Sequence, residues 1–386
     1  MSDLKPDKNT SVFLDGVFSR KERKDHKAGG PTSVSATIDR SGWKRVRLGD
    51  VLQVCHGKCQ HAIESKTGKY PILATSGEIG RTDSYLYDGP SVLIGRKGTI
   101  DKPQYIDSPF WTIDTLFYTK IAEDYNPKFL YYLCLTIDWA SMNEASGVPS
   151  LSANCIESLE VTIPDVDEQD KIANAITSID THISALQSLI TKYEAIKKAT
   201  VNLLLEPKAG WKRMKLDEIC MCLDNYREPV NEVERASMHG DIPYCGANGI
   251  VDYVNDFTID DSIILIAEDG GYFDQYESRP IAYRMSGKAW INNHAHILKA
   301  KRDYCQDFIF YSLEHKDITP FITSGTRAKL TKGELSNIEI DTPPSFQEQR
   351  KIAEKIIAID NALADYKAQL EKARKLKAGM MSYFFG

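Results

Sequence analysis

An α+β fold built from one module used twice is what this sequence predicts. Three observations carry the prediction. The run "PDVDEQDKIANAITSID" from Pro164 returns as "PSFQEQRKIAEKIIAID" from Pro344, so that Gln169 matches Gln349 at an offset of 180 positions. The segments around these runs break into short β-branched and aromatic stretches bounded by Gly, Pro, Asp or Asn, which read as strands. The repeated runs themselves carry apolar residues at alternating spacings of four and three, the mark of a helix with a seam. Together they describe a tandem duplication, each copy a globular part followed by a helix.

Residues 1–40 fall outside the repeat. "FSRKERKDHKAGGPTSVSA" is polar and rich in Gly, Pro and Ser, so this segment reads as a mobile arm. The first globular part takes residues 41–163 and the second takes 206–343. "SGWKRVRLGDVLQVC" (41–55) answers to "AGWKRMKLDEICMCL" (209–223), pairing Trp43 with Trp211. "SVLIGRKGTI" (91–100) answers to the run that begins "SIILIAEDGGY" (262–272), and "SGVPSLSANCIESLEVTIP" (146–164) to "SGTRAKLTKGELSNIEIDTP" (324–343). The feature order is the same in both halves, and the offset grows because the second half carries insertions. "SVLIG", "TLFYT", "LEVTIP", "SIILIA", "AHILKA" and "NIEIDTP" are the strand candidates. "NPKFLYYLCLTIDWASM" and "CQDFIFYSLEHKDITPFI" have apolar residues at helical spacing. Strands and helices mixed in this way point to the α+β class.

The helices take residues 164–205 and 344–386. Pro164 and Pro344 precede each start, where proline is tolerated. In the first, Ile172, Ile176, Ile179, Ile183, Leu186, Ile190 and Tyr193 form the seam. In the second, Ile352, Ile356, Ile359, Leu363, Tyr366, Leu370 and Ala373 hold the same register. A helix of roughly 40 residues reaches ~60 Å. A seam needs a partner. A parallel homodimer is one solution. An antiparallel pair within one chain is the other, and it needs no second molecule because the chain itself holds the second helix nearby. A duplicated module paired in this way has pseudo-two-fold symmetry, with the globular parts expected at opposite ends of a rod.

Composition narrows the function classes. The chain has 386 residues, enough for two ordinary domains, and a net charge of −6. Residues 206–343 hold 16 Lys+Arg against 23 Asp+Glu, whereas residues 344–386 hold 8 against 5. Bulk charge therefore does not announce a nucleic-acid binder, and any DNA-reading surface must gather its cations on one face. No apolar run is long enough to cross a bilayer and no signal peptide is visible, so a cytoplasmic location is expected. The eight cysteines are scattered and read as reduced thiols.

Motifs for catalysis are missing from the sequence. Nothing fits a P-loop, and "IGRKGT" (94–99) has the wrong spacing. There is no G-x-S-x-G elbow, no Asn-Pro-Pro-Tyr or Asp-Pro-Pro-Tyr run, and no convincing nuclease carboxylate set. "CHGKCQH" (55–61) offers Cys55, Cys59, His56 and His61, but "CMC" (220–222) does not complete a zinc site at the usual spacing. "HAH" (294–296) puts two imidazoles on one face of a strand, without a third ligand nearby in sequence. A binding protein rather than an enzyme is expected, with no metal.

The W-K-x-x-x-L openings (Trp43 to Leu48, Trp211 to Leu216) and "LIGRKGTI" with "LIAEDGGY" lead toward one family. So do Glu168-Gln169 with Ile172 and Glu348-Gln349 with Ile352. "LTKGELSNIEIDTPPSFQEQRKIA" (330–353) is the strongest single match. Over roughly residues 41–386 the chain resembles the specificity subunit of type I restriction-modification systems. It departs from the pattern at Asp165 and Asp170, which stand where a proline and a basic or polar residue are more usual. The resemblance implies two target recognition domains, each reading one half of a split DNA site, joined by two helices. Those helices would set the spacing and dock two DNA-methyltransferase (modification) subunits, which ATP-driven restriction subunits can join in phage defence. It also implies that cofactors sit on the partners: S-adenosylmethionine on the modification subunits, ATP and magnesium on the restriction subunits. A ~60 Å rod caps the span of such a site at ~18 base pairs. Unequal modules predict an asymmetric target.

Candidate DNA-binding residues in the first module are Arg81, Arg96, Lys97, Thr99 and Lys102, interleaved with Tyr87 and Tyr105. In the second they are Tyr272, Arg279, Arg284, Arg327, Lys329 and Lys332. Cations in such sets pair with guanine edges or hold phosphate, and carboxylates can accept from cytosine amino groups. The acidic balance leaves a second reading open, a coiled-coil scaffold whose modules bind protein.

Overall fold

The computed structural model describes residues 40–323 and 328–386. The N-terminal arm, apart from Arg40, and Arg327 lie outside the described residues. The chain divides into two compact units, Met1–Asp170 with Tyr383–Gly386, and Lys171–Ser382.

In the first unit, β1 (Lys44–Arg47) passes through a single helical turn, α1 (Leu48–Val51), into β2 (Leu52–Cys55). The strands β3 (Tyr70–Ala74), β4 (Gly77–Thr82), β5 (Ser91–Gly95), β6 (Gln104–Ile106), β7 (Trp111–Thr112) and β8 (Leu116–Ile121) follow. The helices α2 (Pro127–Cys134) and α3 (Ala153–Glu157) lead to β9 (Glu160–Ile163) and then to the long helix α4 (Val166–Leu205). The strands form sheets β2-β8-β5-β6 and β4-β3-β7, with β9 returning to pair antiparallel with β1. All five residues of β5 are buried, and Leu93 packs with Leu73, Phe110, Leu116 and Tyr118 in one core. At the chain's end Arg40 donates to the carbonyls of Phe384 (3.3 Å) and Gly386 (2.8 Å), and the Phe385 ring lies 5.4 Å from Phe129.

The second unit repeats this order. It runs β10 (Lys212–Lys215), α5 (Leu216–Ile219), β11 (Cys220–Cys222), α6 (Glu232–Arg235), β12 (His239–Gly246), β13 (Gly249–Val254), β14 (Ile259–Asp260) and β15 (Ile263–Ala267). Then come β16 (Ala282–Met285), β17 (Lys288–Ile291), β18 (Ala295–Ala300), α7 (Gln306–Glu314), α8 (Lys332–Asn337), β19 (Glu339–Thr342) and the long helix α9 (Phe346–Phe385). Its sheets are β11-β18-β15-β16 and β13-β12-β17-β14, and β10 pairs with β19. Even the parallel strand pairing recurs. Ile72 and Leu73 face Trp111 and Thr112 in the first unit, and Tyr244 and Cys245 face Trp290 and Ile291 in the second.

The repeated glutamine has a structural task. A helix N-terminus leaves backbone N–H groups without intrahelical partners. Gln169 Oε1 accepts the N–H of Asn126, the cap of α2, at 3.0 Å, while its Nε2 donates to the Pro164 carbonyl at 2.9 Å. Gln349 does the same for Cys305, the cap of α7, at 2.8 Å, and for the Pro343 carbonyl at 3.2 Å. Both side chains are buried. Each long helix is thereby latched to its module's short one.

Within the second unit α4 and α9 run antiparallel. Leu186, Leu370 and Ala373 are buried together with half-buried Ile183, Ile190 and Tyr366. Tyr193 meets Tyr366 edge-on at 5.1 Å. Asp180 pairs with Lys377 at 2.6 Å, and Asp360 with Lys197 at 2.9 Å. Asp180 to Asp360 and Lys197 to Lys377 are both steps of 180, so one ion pair is made twice with the helices exchanged. That is a local two-fold relation written in sequence. Ile172, Ile176, Ile179 and Leu363 are also buried, and Ile359 is half-buried. Ile352 and Ile356 go elsewhere. They join Ala353 in the core of the second module, beside Val201, Leu204 and Leu205 of α4. No helix among the described residues is long and apolar enough to cross a membrane.

Candidate nucleic-acid interface

The turn after β5 is built by backbone. Arg96 and Lys97 donate their N–H groups to the Thr115 carbonyl at 2.9 and 3.1 Å, Gly98 donates to Pro149, and Leu151 returns a bond to the Arg96 carbonyl. Gly98 has φ +90°, a conformation that L side chains rarely adopt. A Cβ on Gly95 would meet the Thr99 carbonyl at 2.2 Å, so this turn closes only with glycine there.

The candidates of the first module divide by environment. Lys97 and Lys102 are exposed and Thr99 is half-buried. Arg96 is half-buried, and its Nη1 donates to the Asp114 carbonyl at 3.0 Å. Arg81 lies on β4 and pairs with Glu78 at 3.1 Å. Tyr87 packs against Phe110 and Tyr118, with Lys120 over its ring. Tyr105 leans on Tyr131, with Lys128 over its ring. Burial, and then Asp107, push its phenol upward.

The turn after β15 repeats that backbone. Glu268 donates its N–H to the His294 carbonyl, Leu330 bonds back to the Glu268 carbonyl, and Gly270 has φ +67°. Lys97 bridges to Ser150, and Asp269 bridges to Lys329 in the same place. Tyr272 is exposed under the Arg279 guanidinium, 4.0 Å from the ring centre. Lys329 pairs with Glu268 at 2.7 Å, and Lys332 is exposed at the first position of α8. Arg284 faces α7 and the long helix α9. It bonds Asp307 at 2.5 Å and the Tyr311 hydroxyl at 3.2 Å, and lies 3.9 Å from Asp360.

Around this turn lies a charged cluster absent from the candidate set. Arg227 pairs with Asp224 at 3.2 Å and also with Glu268. His296 is buried, with Nδ1 2.7 Å from Asp224 and Nε2 2.8 Å from the Leu330 carbonyl. Both ring nitrogens thus face oxygen atoms. Burial pushes the Asp224 carboxyl up, but the bonds from His296 and the Ile297 N–H, together with Arg227, outweigh it and hold it below the usual carboxylate range. Burial also opposes ionisation of Glu268, and Lys329 and Arg227 overcome it. The "HAH" alternation was a sign of this: His294 reaches Asp269 at 2.6 Å and His296 reaches Asp224.

Cys222, Asp224 and His296 place ligand atoms within 4.8 Å of one another, the one such set among the described residues. A guanidinium already lies on the Asp224 carboxylate, and both imidazole nitrogens are bonded. Burial, and then Asp224, push the Cys222 thiol up to about 11. The set is an ion-paired core rather than a cation site. Cys55, Cys59, His56 and His61 are not gathered into such a set.

A cavity of about 700 Å³ opens beside the turn, lined by the β12–β13 connection, Asp269, Asn292 and His294.

The pattern described as "Type I restriction modification DNA specificity domain" matches residues 40–197 and again 208–373. A putative type I restriction enzyme specificity subunit of Haemophilus influenzae is 39% identical over 142 residues, 37% of this chain and 35% of that protein. The EcoprrI specificity subunit of Escherichia coli is 23% identical over 69% of this chain and 70% of its own length. The crystal structure of the S subunit of a type I restriction-modification system from M. genitalium superposes with a TM-score of 0.73 at 17% identity. It covers 90% of this chain and 97% of that one, and the likeness is one of fold.

Proposed function

This chain belongs to the type I restriction modification DNA specificity family, and on that premise we propose that its two modules are target recognition domains. Each reads one half of a bipartite, asymmetric DNA site. The observation that carries this reading is the double family match, which falls on both copies of a module whose turns differ in charge. Equal scaffolds with unequal reading loops suit unequal half-sites. The latched helices space the modules and dock two modification subunits, which restriction subunits join. S-adenosylmethionine, ATP and magnesium belong to those partners, and this chain supplies specificity without catalysis, in the cytoplasm.

The test is to sequence methylated DNA from cells with and without the gene, in the presence of the modification partner. Loss of one bipartite methylation motif with the gene is the expected result. Retention of every motif would overturn the assignment and return the modules to protein binding.

A further inference from the structure

The duplication supplies two versions of one turn with opposite charge. After β5 it carries Arg96-Lys97, and after β15 it carries Glu268-Asp269. Two of the backbone bonds that shape the first turn recur in the second: Arg96 N–H to Thr115 and Glu268 N–H to His294, Leu151 to Arg96 and Leu330 to Glu268. Lys97 and Asp269 therefore leave equivalent positions, each followed by a glycine of positive φ.

The two carboxylates of the second turn differ in setting. Glu268 is neutralised by Arg227 and Lys329 and does not line the cavity. Asp269 does line it, held by His294 at 2.6 Å. Asn248, Asn292 and His294 are the other polar side chains of a wall made otherwise of glycines and apolar residues. Asn248 donates to the Gly270 carbonyl at 2.9 Å, and the Asn292 amide oxygen accepts the His294 N–H at 2.9 Å. Exposed Ile250 and Val251 form its apolar rim.

A carboxylate facing a polyanion is unfavourable unless it meets a donor. In the major groove the base-edge donors are the N4 amino group of cytosine and the N6 amino group of adenine. Thymine O4 and guanine O6 present acceptors instead. We infer that Asp269, oriented by His294, is the residue with which the second module selects an amino-bearing base and rejects a keto-bearing one. Lys97, from the equivalent position, gives the first module the opposite polarity. The inference rests on the proposed reading of DNA by both modules.

The experiment uses the full chain expressed with its modification partners in cells that lack other adenine methylation, with the methylated motif read by sequencing. The wild type is expected to give one bipartite motif requiring cytosine or adenine at one position of one half. Asp269→Asn, which keeps the shape and removes the charge, should raise methylation of guanine- or thymine-bearing sites at that position by about tenfold, the scale of one base contact. The other half should be unchanged. Asp269→Glu should retain the amino-base requirement, which separates charge from folding. An unaltered motif in Asp269→Asn, or a uniform loss of methylation at every site, would overturn the inference while leaving the two-module reading intact. A wild type without any bipartite motif would overturn both.

Discussion

Gln169 and Gln349 were legible as a repeated dipeptide with glutamate, but their work was not. Each supplies one acceptor and one donor in a buried place where a short helix would otherwise leave its cap N–H unpaired. Gln349→Ala removes that acceptor and should cost ~1–3 kcal/mol, the range for a buried polar group left unsatisfied. Urea denaturation read by circular dichroism would check this, and a midpoint equal to wild type would refute the latch. Asp224 and Glu268 carry a second prediction. Both carboxyls titrate below their ordinary values in the folded state. Their stabilisation is therefore present above the ordinary carboxylate range and disappears as pH falls through the lowered values. Replacing both, Asp224→Asn with Glu268→Gln, should lower stability at neutral pH and flatten its fall in acid, as measured by urea midpoints between pH 3 and 7. The cluster was hidden because Asp224, Glu268 and His296 are far apart in sequence. Only "HAH" hinted at it, and alternation alone could not distinguish a half-exposed His294 from a buried His296.

The long helices were visible as elements because a seam at spacings of three and four survives in sequence whatever covers it. What covers it was not visible. Leu186 and Leu370 pack helix on helix, whereas Ile352 and Ile356, in the same register, enter the core of the second module. Hydrophobic periodicity reports that a face is buried and not the identity of its neighbour. The reciprocal pairs Asp180–Lys377 and Asp360–Lys197 give this level its test. Lys197 stands between Glu314 and Asp360 at 3.1 and 2.9 Å, so Lys197→Met strips the cation that faces both carboxylates and leaves Asp360 to the more distant Arg284 at 3.9 Å. A loss of ~1–3 kcal/mol is expected, because breaking a partly buried pair strands its partner. Adding Asp360→Asn should recover part of it in a double-mutant cycle; strictly additive effects would show that the two residues do not couple.

For the whole molecule, modularity is the prediction. Exchanging residues 41–163 for the recognition domain of another family member should change one half of the methylated motif and leave the other. A change in both halves, read by the same sequencing, would show that a half-site is not the property of one module. The α+β class, the duplication and the helix seams were determined by the sequence itself, because local propensity, turn residues and periodicity all act over a few neighbouring positions and a repeat displays them twice. Tertiary structure alone decided the rest. It directed Arg284 to the helices and Tyr87 to the core, and it set Asp269 beside a cavity. Those outcomes depend on which distant residues share a surface, and two equivalent turns of opposite charge become comparable only once the backbone has folded them alike.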